Sequence, residues 1–162
     1  MIASIKNYLS LVKFSHTIFA MPFALIGFSL AISSYNIDFP VKLFILIIIC
    51  MVTARNAAMA FNRFIDKKFD AANPRTAIRE IPSGIIKSEN AVFFILLNVI
   101  LFISATWFIN LLCFYLSPIA LALILGYSLT KRFTALCHFV LGIALALAPI
   151  GAYIAVTGKF EL

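Results

Sequence analysis

Five apolar stretches, each about the ~20 residues that a helix needs to cross the hydrocarbon core of a bilayer, decide most of what this chain can become. They cover about residues 17–35, 43–61, 91–109, 111–130 and 138–157, and charges within them are very few, with Arg55 the conspicuous exception. With 64% hydrophobic residues and 17 phenylalanines in a chain of 162, a soluble domain could not bury its apolar surface. The expectation is an all-α, polytopic transmembrane bundle of about five spanning helices, forming a single membrane domain over 1–162. The first stretch reads as a span. It is too long for the apolar part of a cleavable leader, no small-residue cleavage site follows it, and four more stretches come after.

The net charge of +7 would suggest a nucleic-acid partner if it were spread over a surface, but it is sorted by loop. Lys6 and Lys13 precede the first stretch. Arg63, Lys67, Lys68, Arg75, Arg79 and Lys87 follow the second, and Lys131 and Arg132 follow the fourth. The opposite flanks hold only Lys42 and Lys159. Excess Lys and Arg marks the cytoplasmic side, so the N-terminus and the 62–90 loop are expected in the cytoplasm, in a multi-pass protein of the cell's inner (plasma) membrane. Topology accounts for the basic excess, and no nucleic acid is required. Cys50, Cys113 and Cys137 sit in or beside apolar runs without metal-ligand spacing and read as packing residues. His16 and His138 are each isolated and read as interfacial packing.

Local signals divide the chain further. Residues 4–14 read as an amphipathic helix at the membrane surface. Asn36, Asp38 and Pro40 end the first span. The second span is expected to continue past Asn62 towards Asn73, where Pro74 stops it. Only Asn110 separates the third and fourth spans, which therefore form a tight hairpin. Pro118 and Pro149 fall inside spans and predict kinks.

The one long polar stretch is NRFIDKKFDAANPRTAIREIPSG, residues 62–84, which holds Asp66, Asp70 and Glu80, three of the six acids. At 100° per residue, Arg55, Asn62, Asp66 and Asp70 fall within about 80° of one another on a helix. Carboxylates one turn apart repel each other by a few tenths of a kcal/mol or more, so a cation is expected between them. Mg²⁺ suits such a stripe, because it takes one or two carboxylates and completes its shell with water and phosphate oxygens. Arg75 and Arg79 are also four apart, and guanidinium forks match phosphate oxygens. Metal-binding acids and phosphate-binding arginines at the mouth of a bundle point to a diphosphate whose hydrophobic tail lies in the membrane. Two other readings stand beside this one: a solvated surface with weak salt bridges, and an ion pathway.

Arg55 costs at least ~2.5 kcal/mol inside a span, so it needs a cavity or a partner. It either snorkels or pairs with one of the acids, or it receives an anionic group of a second substrate. Lys131 and Arg132 lie at the same membrane level as the polar stretch. They either set topology or line the mouth, together with Tyr127 one turn before Lys131.

The polar stretch resembles the first aspartate-rich motif of the intramembrane aromatic prenyltransferases of the 4-hydroxybenzoate polyprenyltransferase type. That motif reads Asn-x-x-x-Asp-x-x-x-Asp followed by Arg-Thr-x-x-Arg-x-x-Pro-x-Gly, filled here by Asn62, Asp66, Asp70, Arg75, Thr76, Arg79, Pro82 and Gly84. The segments KFSHTIFAMPFALIG, TARNAAMAF and KRFTALCHFVLGIALALAPIGA extend the similarity over nearly the whole chain. The resemblance implies Mg²⁺-dependent transfer of a polyprenyl group from polyprenyl diphosphate to an aromatic acid, in ubiquinone or menaquinone biosynthesis. By motif position, Asn62, Asp66 and Asp70 would hold the metal, with Asp66 and Asp70 catalytic. Arg75, Arg79 and Lys131 would bind diphosphate, and Arg55 would bind the aromatic carboxylate.

Two departures from the pattern stand out. Arg63 follows Asn62 where many members have aspartate. The family fold has nine spanning helices and a second aspartate-rich motif after the sixth, whereas this chain carries about five and no second cluster. It therefore resembles the N-terminal half of such an enzyme, is expected to be incomplete for catalysis, and would have the C-terminal half of the bundle as its missing partner. The alternatives are another member of the superfamily, such as the haem O synthase type, or a non-catalytic membrane subunit or ion pathway.

Overall fold

The computed structural model describes residues 2–134 and 136–160; the side chains of residues 2–4, 14, 16, 19 and 20 fall outside the description, and so do His16 as a packing residue and Glu161. Seven helices follow one another: α1 (Ile2–Leu11), α2 (Phe14–Tyr35), α3 (Val41–Ile65), α4 (Lys67–Ala72), α5 (Ser88–Ile109), α6 (Leu111–Thr130) and α7 (Cys137–Thr157). No strand occurs among the described residues. α3, α5, α6 and α7 are each long and apolar enough to cross a membrane, and α2 is an apolar helix of 22 residues. The chain is a multi-pass, all-helical membrane protein.

Several boundaries differ from expectation. The surface helix α1 stops at Leu11 because Lys13 adopts φ 45, a left-handed conformation that breaks a helix of L-residues. The continuation of the second span towards Asn73 is interrupted once, at Asp66. The Asp66 N–H still donates to the Asn62 carbonyl at 3.0 Å, and its own carbonyl accepts from the Asp70 N–H at 2.8 Å, so α4 sets off almost in line with α3. Asn73 is extended at φ −106, ψ 118, as the residue before a proline must be.

Beyond it, residues 73–86 form consecutive turns. The N–H groups of Thr76 and Ala77 both donate to the Asn73 carbonyl at 2.9 Å, and Ser83 N–H donates to Arg79 O at 3.0 Å. Gly84 takes φ 77, open to glycine at little cost.

The α5–α6 hairpin turns on one residue, as its sequence implies. Asn110 is extended, and its Oδ1 accepts the Cys113 N–H at 2.8 Å, an N-cap bond. Its Nδ2 donates to the carbonyls of Ile154 at 3.2 Å and Ala155 at 3.3 Å. A single side chain therefore closes the hairpin and ties it to the far end of α7. Pro118 and Pro149 lie inside α6 and α7.

Helix pairing is closest between α3 and α5 and between α2 and α7. At Gly27 a Cβ would overlap the Pro149 backbone, so glycine is what lets α2 approach α7. The interior is built from small and polar residues, with Ala57, Ala60, Ala91, Thr53, Asn98, Ser117 and Ser128 all buried. Phe93, Phe108, Phe139 and Ile119 are exposed, which is the arrangement expected where lipid is the solvent. Most of the buried hydroxyls and amides bond to carbonyls within their own helix: Thr53 to Ile49 at 2.7 Å, Asn98 to Phe94 at 2.8 Å, Ser117 to Phe114 at 2.7 Å.

Cys50 packs against the Ala54–Phe102–Leu121 cluster and Cys113 against the cluster of Ala24, Phe28, Ile47, Ala152 and Ala155, as expected. At the end of the bundle that carries the polar stretch, Leu11, Ala60, Ile81, Ile86, Ala91 and Ile95 form one core joining α1, α3, the turns and α5.

A candidate diphosphate site at the charged end of the bundle

An open cleft of about 500 Å³ lies where the ends of α3 and α6 meet α4 and the turns, lined by Asp66, Phe69, Asp70, Asn73, Thr76, Arg79, Lys131 and Arg132. That is ample room for a small polar headgroup. Each wall has a local cause. Asp66 sits at the α3–α4 joint and Asp70 one turn later, so both carboxylates reach the same opening. The buried Thr76 hydroxyl donates to the Asp70 carbonyl at 3.0 Å, which fixes the start of the turns against α4. Lys131 and Arg132 end α6 at the same level.

Each carboxylate has its own basic partner, and among the described residues no side chain bridges the two. Arg79 Nη1 donates to Asp70 Oδ1 at 2.7 Å and to Oδ2 at 2.8 Å, so one arm of the guanidinium spans the carboxylate. Lys131 Nζ bonds Asp66 Oδ2. Arg132 stands 3.5 Å from Asp66 Oδ1, donates to the Ile65 carbonyl at 2.7 Å and lies over the Phe69 ring at 5.2 Å. Arg132 thus satisfies a carbonyl orphaned at the α3 terminus while adding a third positive charge to the cleft.

Asn62 reaches this end of α3 with its amide oriented: Nδ2 donates to the buried Ser128 hydroxyl at 3.3 Å. That bond leaves Oδ1 as the unspent group, the hard oxygen that a divalent cation would use. Asn62, Asp66 and Asp70 therefore fit a magnesium ion by donor chemistry. Among the described residues no group of three or more His, Cys, Asp or Glu is gathered for a metal, so the amide and ligand oxygens would have to complete the shell.

The sequence-derived residues do not all converge. Asp66, Asp70, Arg79 and Lys131 line the cleft, but Asn62 and Arg75 do not. The shared helical face expected for Arg75 and Arg79 is corrected by the turns, which separate their directions; Arg75 is exposed, and its backbone N–H bonds Asn73 Oδ1 at 3.0 Å. Arg55 is half-buried in α3 outside the cleft lining, and its Nε is buried without a partner among the described residues. It makes no ion pair with either acid among those residues, which removes that explanation for it. Tyr127 is not part of the lining.

Three contributors escaped the sequence: Ser128, Thr76 as a buried tie, and Phe69 as the face under Arg132. Ser128 lies three residues before Lys131, a helical-face relation that the sequence displays but that gains meaning only once α6 is placed beside α3.

A membrane bundle with a carboxylate–guanidinium cleft at one end of its helices defines the class. The chain belongs to the UbiA prenyltransferase family, whose profile matches residues 20–162. It is 37% identical over 108 residues to a 4-hydroxybenzoate octaprenyltransferase from Tolumonas auensis, a match covering 67% of this chain and 38% of that protein. Its fold superposes on the apo structure of a UbiA homolog from Aeropyrum pernix K1 with a TM-score of 0.82 at 32% identity, covering 91% of this chain and 53% of the other. A digeranylgeranylglyceryl phosphate synthase shares the fold at a TM-score of 0.83 and 23% identity, over 97% of this chain and 56% of that one. The chain thus spans well under two thirds of the length of each of these proteins.

Proposed function

We propose that this chain supplies the first diphosphate-binding half-site of an intramembrane prenyltransferase, one that moves a polyprenyl group from polyprenyl diphosphate to an aromatic acid of the 4-hydroxybenzoate kind in quinone biosynthesis. The observation that carries the proposal is the cleft in which Asp66 and Asp70 are held by Lys131, Arg132 and Arg79 beside the oriented Asn62 amide. These cations are matched to carboxylates whose oxygens are also metal donors, so a diphosphate arriving with a hard cation can exchange partners with them. Asp66, Asp70 and Asn62 Oδ1 turn to the cation, and Arg79, Lys131 and Arg132 turn to phosphate oxygens. Arg75 stands exposed at the rim, where it adds to the attraction of an incoming anion.

Mg²⁺ held by Asn62, Asp66 and Asp70 would supply charge neutralisation for the departing diphosphate as the allylic C–O bond breaks. The chain's own part is to position the headgroup, place guanidinium and ammonium donors around it and keep the polyprenyl tail among apolar helices away from water. Arg55, with a buried unpartnered Nε below the cleft, suits the carboxylate of the aromatic acid. The basic residues of the 62–90 loop orient that end of the bundle to the cytoplasm, in the inner membrane.

Equilibrium binding of geranyl diphosphate to the nanodisc-embedded chain, with and without Mg²⁺, tests the proposal. Binding that requires Mg²⁺ is expected. Binding indifferent to Mg²⁺, or none, would sink it and favour an ion pathway or a non-catalytic subunit.

A further inference from the structure

Arg63 belongs to none of the roles above, yet it is the most deeply buried charged side chain near the cleft, 6% exposed against 7% for Asp70. At 100° per residue it falls within about 20° of Asp70, two turns below it on the α3–α4 face. Its charged neighbours are Arg79, Glu80, Asp70 and Asp66. Even so, it forms no ion pair among the described residues, and its Nη1 is buried without a hydrogen-bond partner.

Arginine is rarely buried unless paired, and the obvious structural pairing is not made. Glu80 bonds the Ser10 hydroxyl through Oε1 at 2.5 Å, while its Oε2 is buried and unpartnered, like Arg63 Nη1. Arg63 does not line the cleft. Its charge therefore acts on the cleft through the protein rather than by contact with a ligand.

We infer that Arg63 is a positioning residue, a fixed buried cation behind Asp70 and Arg79 that raises the site's affinity for an organic diphosphate and lowers its affinity for the accompanying divalent cation. The inference rests on the proposed diphosphate site. A fixed positive charge favours the anion and opposes the metal by the same field, and low-dielectric surroundings screen that field weakly. It leaves Asp70 with a positive neighbour when Arg79 turns to phosphate, so the acid does not collapse back onto the arginine. A side chain that merely packed would shift both affinities in one direction.

The test uses the chain in nanodiscs, with Mn²⁺ binding read by electron paramagnetic resonance and geranyl diphosphate binding read by calorimetry at saturating Mg²⁺. Arg63→Gln should tighten Mn²⁺ about threefold to tenfold and weaken geranyl diphosphate about tenfold, and Arg63→Lys should restore both towards the parent values. Shifts in the same direction, or no shift, overturn the inference and leave the proposed function standing. A parent chain that binds neither probe overturns both. Should Arg63→Gln not fold, Arg63→Met carries the same test, and failure of both to fold makes Arg63 structural and overturns the inference.

Discussion

Lys131, the residue that ends α6, is bonded through its ammonium group to Asp66 at the end of α3. The two lie 65 positions apart in the chain, and the bond brings the C-terminal ends of two parallel helices, α3 and α6, to one membrane level. It couples the position of the acid to the packing of α6.

Replacing Lys131 by Met keeps the stem and removes the charge. A charge-assisted hydrogen bond contributes about 1.5–3 kcal/mol, so geranyl diphosphate binding should weaken about ten- to hundredfold. Calorimetry on the nanodisc-embedded variant checks this, and an unchanged affinity would mean that Lys131 only sets topology.

Asp66→Ala in a complete enzyme carrying this half should abolish Mg²⁺-dependent turnover, because the stripe loses an oxygen donor and two basic groups, Lys131 and Arg132, lose their counter-charge. Parent-like rates at unchanged Mg²⁺ dependence would remove Asp66 from the metal site.

Arg55→Ala should raise KM for the aromatic acid about ten- to hundredfold with far less effect on KM for the prenyl diphosphate. Steady-state kinetics with each substrate varied in turn is the measurement. Equal changes in both would assign the buried guanidinium to packing.

Asn110→Leu removes an N-cap bond and two bonds to α7 carbonyls, each made at the end of the bundle away from the cleft. The loss should lower stability by about 1–2 kcal/mol, seen as a lower melting temperature in detergent, with Mn²⁺ binding unaltered. A parent-like melting temperature would show that the hairpin closes without it.

Periodic features were legible in the sequence because lipid imposes them. The apolar runs that became α3, α5, α6 and α7 follow from the need to satisfy backbone groups inside a membrane, while the stop at Asn73 follows from Pro74 and the hairpin turn from the Asn110 cap. Of the expected Asn62–Asp66–Asp70 face, the two acids reach one cleft across the helix break at Asp66, and Asn62 stays outside its lining. Residues 73–86 were harder to read, because turns have no period, and Arg75 and Arg79 diverged for that reason. Ser128 was hidden for a different cause: its partner Asn62 is 66 positions away, and the contact depends on how α6 settles against α3. Arg63 showed in the sequence only as a departure from the motif, and its burial depends on how the turns settle against α3.

The shared core of Leu11, Ala60, Ile81, Ile86, Ala91 and Ile95 has a consequence for synthesis. Every residue in it emerges from the ribosome before α6 does, so the acid-bearing wall can acquire its shape while the basic wall is still untranslated. Assembly is then vectorial: the acidic wall, with Asp70 already paired to Arg79, precedes the lysine and arginine at the end of α6 that pair with Asp66. Protease sensitivity of the 62–90 loop in ribosome-arrested chains of increasing length would register that moment as a late drop in cleavage.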